Sequence, residues 1–206
     1  PTQLTTAKVS LDINSVGGPK VAKKIVLLSE IGQTDIYRAV TNNKGIMNGV
    51  DSVLVATGND YRGVEAATAV WANKDGSYTS LSKWSIANDR LIGTVTIPLA
   101  IGVVGGSIKA RQDIQQSFNL LGKVSAEQLA EIIAATGLAN NFSALLAIST
   151  KGIQAGHMKL QARNLVATLK ANEDEKAKVL EKLQESKQYT QEAAVRFLDE
   201  IRKEKN

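Results

Sequence analysis

DIYRAVTNNKGIMNGVDSVLVATGND, residues 35–60, is the stretch on which the reading of the fold turns. Its first part, 35–49, is polar and punctuated by Gly45 and Gly49, which reads as a functional loop leading into a helix. From Val50 the apolar residues Val50, Val53, Leu54, Val64, Ala67 and Trp71 recur at helical spacing through residue 73. Upstream, TAKVSLDI at 6–13 alternates polar and apolar as a strand does, and GGPK at 17–20 reads as a turn. VAKKIVLLSEIG at 21–32 fits a short helix or a strand. Downstream, DGSY at 75–78 is a turn, and LIGTVTIPLAIGVV at 91–104 has the β-branched content of buried strands.

The remainder reads as helical. Ser125 and Gln128 form a capping box, in which the hydroxyl accepts from an exposed amide and the Gln side chain reaches back. The helix it opens is expected to close at Gly137, with a second helix through SALLAISTKG (143–152) and a third through HMKLQARNLVATLK (157–170). From about 170 the chain is highly charged but nearly balanced in sign. Val179, Leu180 and Leu183, then Ala194, Phe197, Leu198 and Ile201, mark two amphipathic helices. The fold class expected is α+β: residues 1–167 as helices with a small sheet, and 168–206 as a small all-helical subdomain.

Composition narrows the function. With 206 residues, 43% hydrophobic and 22% charged, the chain has the make-up of an ordinary globular protein. One histidine and no cysteine leave no basis for a zinc site, and no metal ligands are assigned. The net charge of +5 is dispersed and aromatics are only 4%, which argues against a nucleic-acid partner. The longest apolar stretch, 91–106, is broken by Pro98 and several glycines, so no membrane span is expected. PTQLTTAKVS carries neither a signal peptide nor an initiator methionine, and a processed or excised piece of a cytoplasmic protein is expected.

Three stretches are unlike ordinary packing sequence. RAVTNNKGIMNG (38–49) supplies a guanidinium, a lysine and amides. Arg38 is suited to a bidentate carboxylate and Lys44 to an oxyanion, although a polar loop with surface cations accounts for both on spacing alone. VATGND (55–60) ends in Asp60, either a buried carboxylate tuned by a cation or a simple helix-terminal residue. GIQAGHMKLQARN (152–164) holds the single histidine, His157. No nucleophile elbow, triphosphate loop or dinucleotide-binding glycine motif is present. VGGSIK at 104–109 is a glycine-rich turn.

Together with IPLAIGVVGG and AATGLANNFSAL, these stretches resemble, in the same order, the C-terminal half of 3-hydroxy-3-methylglutaryl-CoA reductase. The resemblance is strongest from about 30 to 170, and the extension after Gly-His-Met resembles the class II (prokaryotic) form. It implies a reductive deacylation of the CoA thioester to mevalonate and CoA, or the reverse, using NAD or NADP. By resemblance Lys44 stabilises the oxyanion, Asp60 holds and tunes Lys44, and His157 protonates the departing CoA thiolate. Arg38 and Asn48 would contact the substrate's carboxylate and hydroxyl. The implied fold is the C-terminal part of the large CoA-substrate domain, followed by a helical flap.

Geometry sets a condition on these roles. Lys44 and Asp60 lie 16 positions apart, about 24 Å on one straight helix. A shared site within one subunit therefore requires the helix to begin near Val50, with the Asn-Lys-Gly loop folded back on Gly45 and Gly49. Two departures from the family pattern stand out. Gln161 occupies a position that is often histidine, and the family's Glu-Asn motif and nicotinamide-binding domain are absent. Residues that bind the nicotinamide are therefore unassigned. The expected partners are the missing N-terminal half, a second copy in a homodimer or higher oligomer, and the CoA thioester. The alternative is a non-catalytic binding or assembly module that keeps the family fold.

Overall fold

The computed structural model describes residues 3–105, 108, 110–150 and 152–203, without the side chains of 153–157. Two compact units divide at Thr150/Lys151.

The first unit is built on a three-stranded antiparallel sheet in the order β1-β3-β2: β1 Leu4–Asp12, β2 Ser82–Ala87 and β3 Arg90–Pro98. Asn88 and Asp89, both at left-handed φ, make the two-residue hairpin between β2 and β3. Alternation decides the faces. Leu91, Val95 and Ile97 are buried, while Lys8, Lys83 and Thr94 lie in one cross-strand row on the polar face.

Helices cover the apolar face. The ambiguous segment at 21–32 lies inside a helix, α1 (Pro19–Thr34), with Pro19 in its first turn, where a missing N–H costs nothing. α2 (Ile36–Ala56) follows after Asp35 caps it through the Arg38 amide. The expected loop at 35–49 is therefore helix, and the helix does not begin near Val50. α3 is Tyr61–Ala72, α4 is Gln112–Leu121 and α5 is Ala126–Ser149. The strand content expected at 91–104 ends at Pro98, and residues 99–105 are irregular.

The glycines of α2 and α5 explain why helix prevails over their turn propensity. A Cβ on Gly49 would lie 2.9 Å from the Thr136 carbonyl oxygen, and one on Gly137 would lie 2.9 Å from a Val50 methyl. Both mark where the two helices cross too closely for a side chain. Gly137 consequently does not close a helix. α5 runs through it for 24 residues, and SALLAISTKG continues that helix to Ser149. The capping box at Ser125 and Gln128 is formed as the sequence predicts. α5 is long and apolar enough by composition to cross a membrane, but it lies in the core against α2 and β1. Leu129, Ile133, Leu138 and Leu145 seal it there.

The second unit contains α6 (Ile153–Ala167), α7 (Glu173–Ser186) and α8 (Gln191–Lys203). Its core is Ala162, Val166, Leu169, Val179, Leu183, Ala194, Leu198 and Ile201. These residues group α6 with the two helices after it, so this unit begins at Lys151, whereas the sequence reading divides the chain after 167. Glu175 is buried and satisfied twice: it completes a capping box with Asn172 and accepts from Arg202 at 3.0 Å.

Candidate functional site

The site candidates of the first unit sit on and just beyond α2. Being helical, α2 sorts its residues by angle. Tyr37, Thr41, Lys44, Asn48 and Val55 fall on one exposed stripe, with Arg38 on its shoulder. Lys44 and Asn48 are thus neighbours one turn apart, and Arg38 projects a turn and a half further toward the helix start. Among the described residues no carboxylate forms an ion pair with Arg38 or Lys44.

Arg38 is half-buried. It donates to Thr41 Oγ1 at 3.3 Å and to Asn42 Oδ1 at 3.5 Å, while its buried Nε has no partner. Burial pulls its pKa below the ordinary guanidinium value. A desolvated guanidinium with an unused donor suits an arriving carboxylate.

The amides of TNN are not loop side chains but inward clamps. Asn43 donates to the Thr79 carbonyl at 2.9 Å and accepts from the Leu81 amide at 2.9 Å. Asn42 donates to Ser80 Oγ and accepts from Asn141, which in turn accepts from the Trp84 indole at 2.9 Å. This buried chain fixes Arg38 to the sheet through Asn42, and sequence reasoning missed it. Its only trace in the sequence is polar residues at helical spacing on the face opposite Thr41 and Lys44.

Asp60 lies past the far end of α2. Gly58, at φ 68°, turns the chain, and the Asn59 amide bonds back to the Leu54 carbonyl at 2.9 Å. Asn59 also clamps Gly102 with both ends of its side chain, at 2.8 and 3.1 Å. Asp60 then caps α3 by accepting from the Gly63 amide at 3.1 Å. From Lys44 to Leu54 the helix rises about 15 Å. No Lys44–Asp60 ion pair is formed, so the pairing expected within one chain is not made. The reason is that α2 is unbroken from Ile36 to Ala56. Asp60 instead lines a cavity of 350 Å³ with Gln3, Gly63, Val64, Ala67, Pro98 and Ala100.

A second acidic feature went unread. Asp51 on α2 and Glu65 on α3 bring two carboxyls together, and Asp51 Oδ1 is buried without a partner. Burial first, then the charge and hydrogen bond of Glu65, push the Asp51 pKa up to about 6. Asp51 follows the last turn of the TNNKGIMNG stretch, and an acid set among Val50, Val53 and Leu54 was the available signal.

In the second unit, His157 falls near the start of α6, but its side chain lies outside the described residues. Gln161, the departure from the family pattern, donates to the Tyr189 carbonyl at 2.9 Å and ties α6 to the segment before α8. Gly106, Ser107 and Lys109 of the VGGSIK turn lie outside the described residues.

Residues 2–162 match the family model described as hydroxymethylglutaryl-coenzyme A reductase. The chain belongs to the hydroxymethylglutaryl-coenzyme A reductase family. It is 42% identical over 180 residues to 3-hydroxy-3-methylglutaryl-coenzyme A reductase of Archaeoglobus fulgidus, covering 87% of this chain and 41% of that protein. A probable reductase of the same name from Borreliella burgdorferi is 40% identical over 188 residues, covering 89% and 44%. Among solved structures, the Streptococcus pneumoniae reductase matches with a TM-score of 0.71 at 41% identity, over 96% of this chain and 49% of that one. A class II reductase from the same organism, bound to NADPH in open conformations, matches with a TM-score of 0.71 at 42% identity, over 97% and 50%. The chain therefore spans about half the length of these reductases. The α+β expectation and the resemblance to half of a class II reductase are both borne out.

Proposed function

We propose that this chain supplies the substrate-facing part of a hydroxymethylglutaryl-coenzyme A reductase, acting in the cytoplasm together with the half of the enzyme it does not match. The observation that carries the reading is the α2 stripe. Lys44 and Asn48 stand on one exposed face of α2 with half-buried Arg38 at its shoulder, and none of the three has an acidic partner among the described residues. That donor set fits a ligand with a carboxylate, a hydroxyl and a carbonyl that becomes an oxyanion, as in the 3-hydroxy-3-methylglutaryl thioester.

When bound, reduced NAD or NADP supplies hydride. No glycine-rich dinucleotide cradle occurs in this sequence, so the unmatched half holds the nicotinamide. Arg38 takes the substrate carboxylate and Asn48 the hydroxyl. Lys44 opposes the negative charge that develops on the thioester oxygen and gives a proton to the aldehyde oxygen at the second reduction. His157 protonates the CoA thiolate as the C–S bond breaks, a task matched to an imidazole pKa near neutrality.

Lys44 lies near the middle of α2 and Asp60 beyond its C-terminal end, capping α3, so a site that uses both draws them from two copies. The reading therefore includes a homodimer or a higher assembly. Reconstitution with the unmatched half of the Streptococcus pneumoniae enzyme tests it. The assembled pair is expected to oxidise NADPH and release thiol when given 3-hydroxy-3-methylglutaryl-CoA. Assembly without turnover would instead favour the non-catalytic module. His157→Gln is expected to slow thiol release far more than thioester binding, and an unchanged release rate would remove its assigned role.

A further inference from the structure

β1 is an edge strand, and its register shows which backbone groups face outward. At the two ends of its ladder with β3, the Leu99 amide donates to Gln3 O at 2.8 Å and the Ile13 amide donates to Asp89 O at 3.3 Å. Both continue the β1–β3 register in which Leu4 faces Pro98 and Asp12 faces Arg90. Hydrogen-bonded pairs alternate in an antiparallel ladder, so the odd residues of β1 bond to β3 and the even ones turn away. The Ser10 carbonyl, one of the outward groups, is occupied instead by the Arg90 guanidinium at 2.7 Å. Leu4, Thr6 and Lys8 are left as an open edge, with no further strand among the described residues.

That edge borders a trough of 480 Å³. One wall is Gln3–Thr6 with Leu99 and Ile101, and the other is Ala126, Glu127, Ala130 and Glu131 of α5. The outer side of α5 continues the same exposure. It is an apolar helix of core composition, yet only 39% of its most apolar window is buried, and Ala135 and Ala139 are exposed beyond Glu131. A helix apolar around its whole circumference belongs inside a core. A long unpaired edge beside it would be a liability unless something covers both.

We propose that an extended segment of the enzyme's other half adds to the sheet along Leu4–Lys8 and covers the outer face of α5. This rests on the reading that the chain acts with that half, and the half-length match to every relative described above is what commits the occupant. The chemistry of the trough specifies the segment. It is a strand with alternating residues, apolar where it meets Leu99, Ile101 and Ala130, and carrying a cation or amide donor beside Glu127 and Glu131. Its amides and carbonyls pair with those of Leu4, Thr6 and Lys8.

The test is hydrogen exchange on this chain, alone and mixed with the unmatched half of the Streptococcus pneumoniae reductase. Exchange at Leu4, Thr6 and Lys8 is expected to slow by about tenfold or more on assembly, filling in between odd residues that are already protected. Thr6→Pro deletes one outward N–H at an edge position where proline is tolerated, and should weaken assembly roughly tenfold while the chain still folds. Thr6→Val loses the same hydroxyl contact to Thr96 but keeps the N–H, and should assemble as wild type. Assembly with no protection of β1, protection already complete in the chain alone through pairing of two copies, equal effects of the two variants, or no assembly would each overturn the docking edge. A single-chain fusion of the two parts separates this from the functional reading. Turnover without β1 protection fails the edge alone, and protection without turnover fails the proposed activity alone.

Discussion

Asp51→Asn is expected to stabilise this protein at neutral pH, and the gain should disappear in acid. Asp51 sits between α2 and α3 against Glu65, with one oxygen buried and unpartnered. Its pKa rises from 3.8 to about 6, mainly through burial and secondarily through Glu65. The folded pKa lies above the unfolded one, so folding is favoured by the proton. That contribution is fully present below about pH 4 and is lost as pH rises through about 6. A rise of that size corresponds to roughly 3 kcal/mol, but a group this exposed to solvent screening warrants about half of that. The amide of Asn keeps the shape and can donate to Glu65, so it removes the repulsion without opening a cavity. Asp51→Asn should therefore gain about 1–2 kcal/mol at pH 7, or about 2–6 °C in Tm for a chain of this size. It should also flatten the stability profile between about pH 4 and 6. Urea unfolding followed by circular dichroism across that range measures both. Parallel profiles for the two proteins, differing by a constant, would refute the assignment of the titration to Asp51.

Other consequences are similarly direct. Gly49→Ala places a methyl against the Thr136 carbonyl at the α2–α5 crossing, and should cost about 1–3 kcal/mol despite the better helix propensity of alanine; a neutral result in denaturant unfolding would mean the crossing can open. Asn141→Leu leaves the Trp84 indole N–H buried without a partner and Asn42 Oδ1 with only the 3.5 Å contact from Arg38, and should cost about 2–4 kcal/mol, with a shift in Trp84 fluorescence. Glu175→Ala removes the side-chain half of the α7 capping box and the carboxylate that accepts from Arg202, and should destabilise the helical unit by about 1–3 kcal/mol. Limited proteolysis cutting first within 151–203 is the expected sign, and unchanged cleavage there would contradict it.

The capping box at Ser125, the strand at β1 and the amphipathic helices after 170 were legible because each is a local pattern: a spacing, an alternation, a period. Gly49 and Gly137 misled for a physical reason. A glycine needed for left-handed φ and one needed for close helix contact are the same letter, and only the crossing of α2 over α5 distinguishes them. The same misreading turned α2 into a loop and placed Lys44 beside Asp60. Asn42 and Asn43 looked like loop amides because their partners, Ser80, Thr79 and Leu81, lie nearly forty positions away. Arg38, Lys44 and Asn48 were singled out by their motif, and the shared face of Lys44 and Asn48, with Arg38 at its shoulder, follows once the segment is helical. Asp51 was passed over because its partner, Glu65, meets it only through the α2–α3 turn at Gly58.

The most direct measurement is the rate of NADPH oxidation with 3-hydroxy-3-methylglutaryl-CoA by the reconstituted enzyme, comparing the wild type with Lys44→Ala. Loss of a cation that stabilises the oxyanion should lower kcat by about a hundredfold or more, with assembly and thermal stability unchanged because Lys44 is exposed and unpaired among the described residues. A Lys44→Ala enzyme turning over at the wild-type rate would contradict the account.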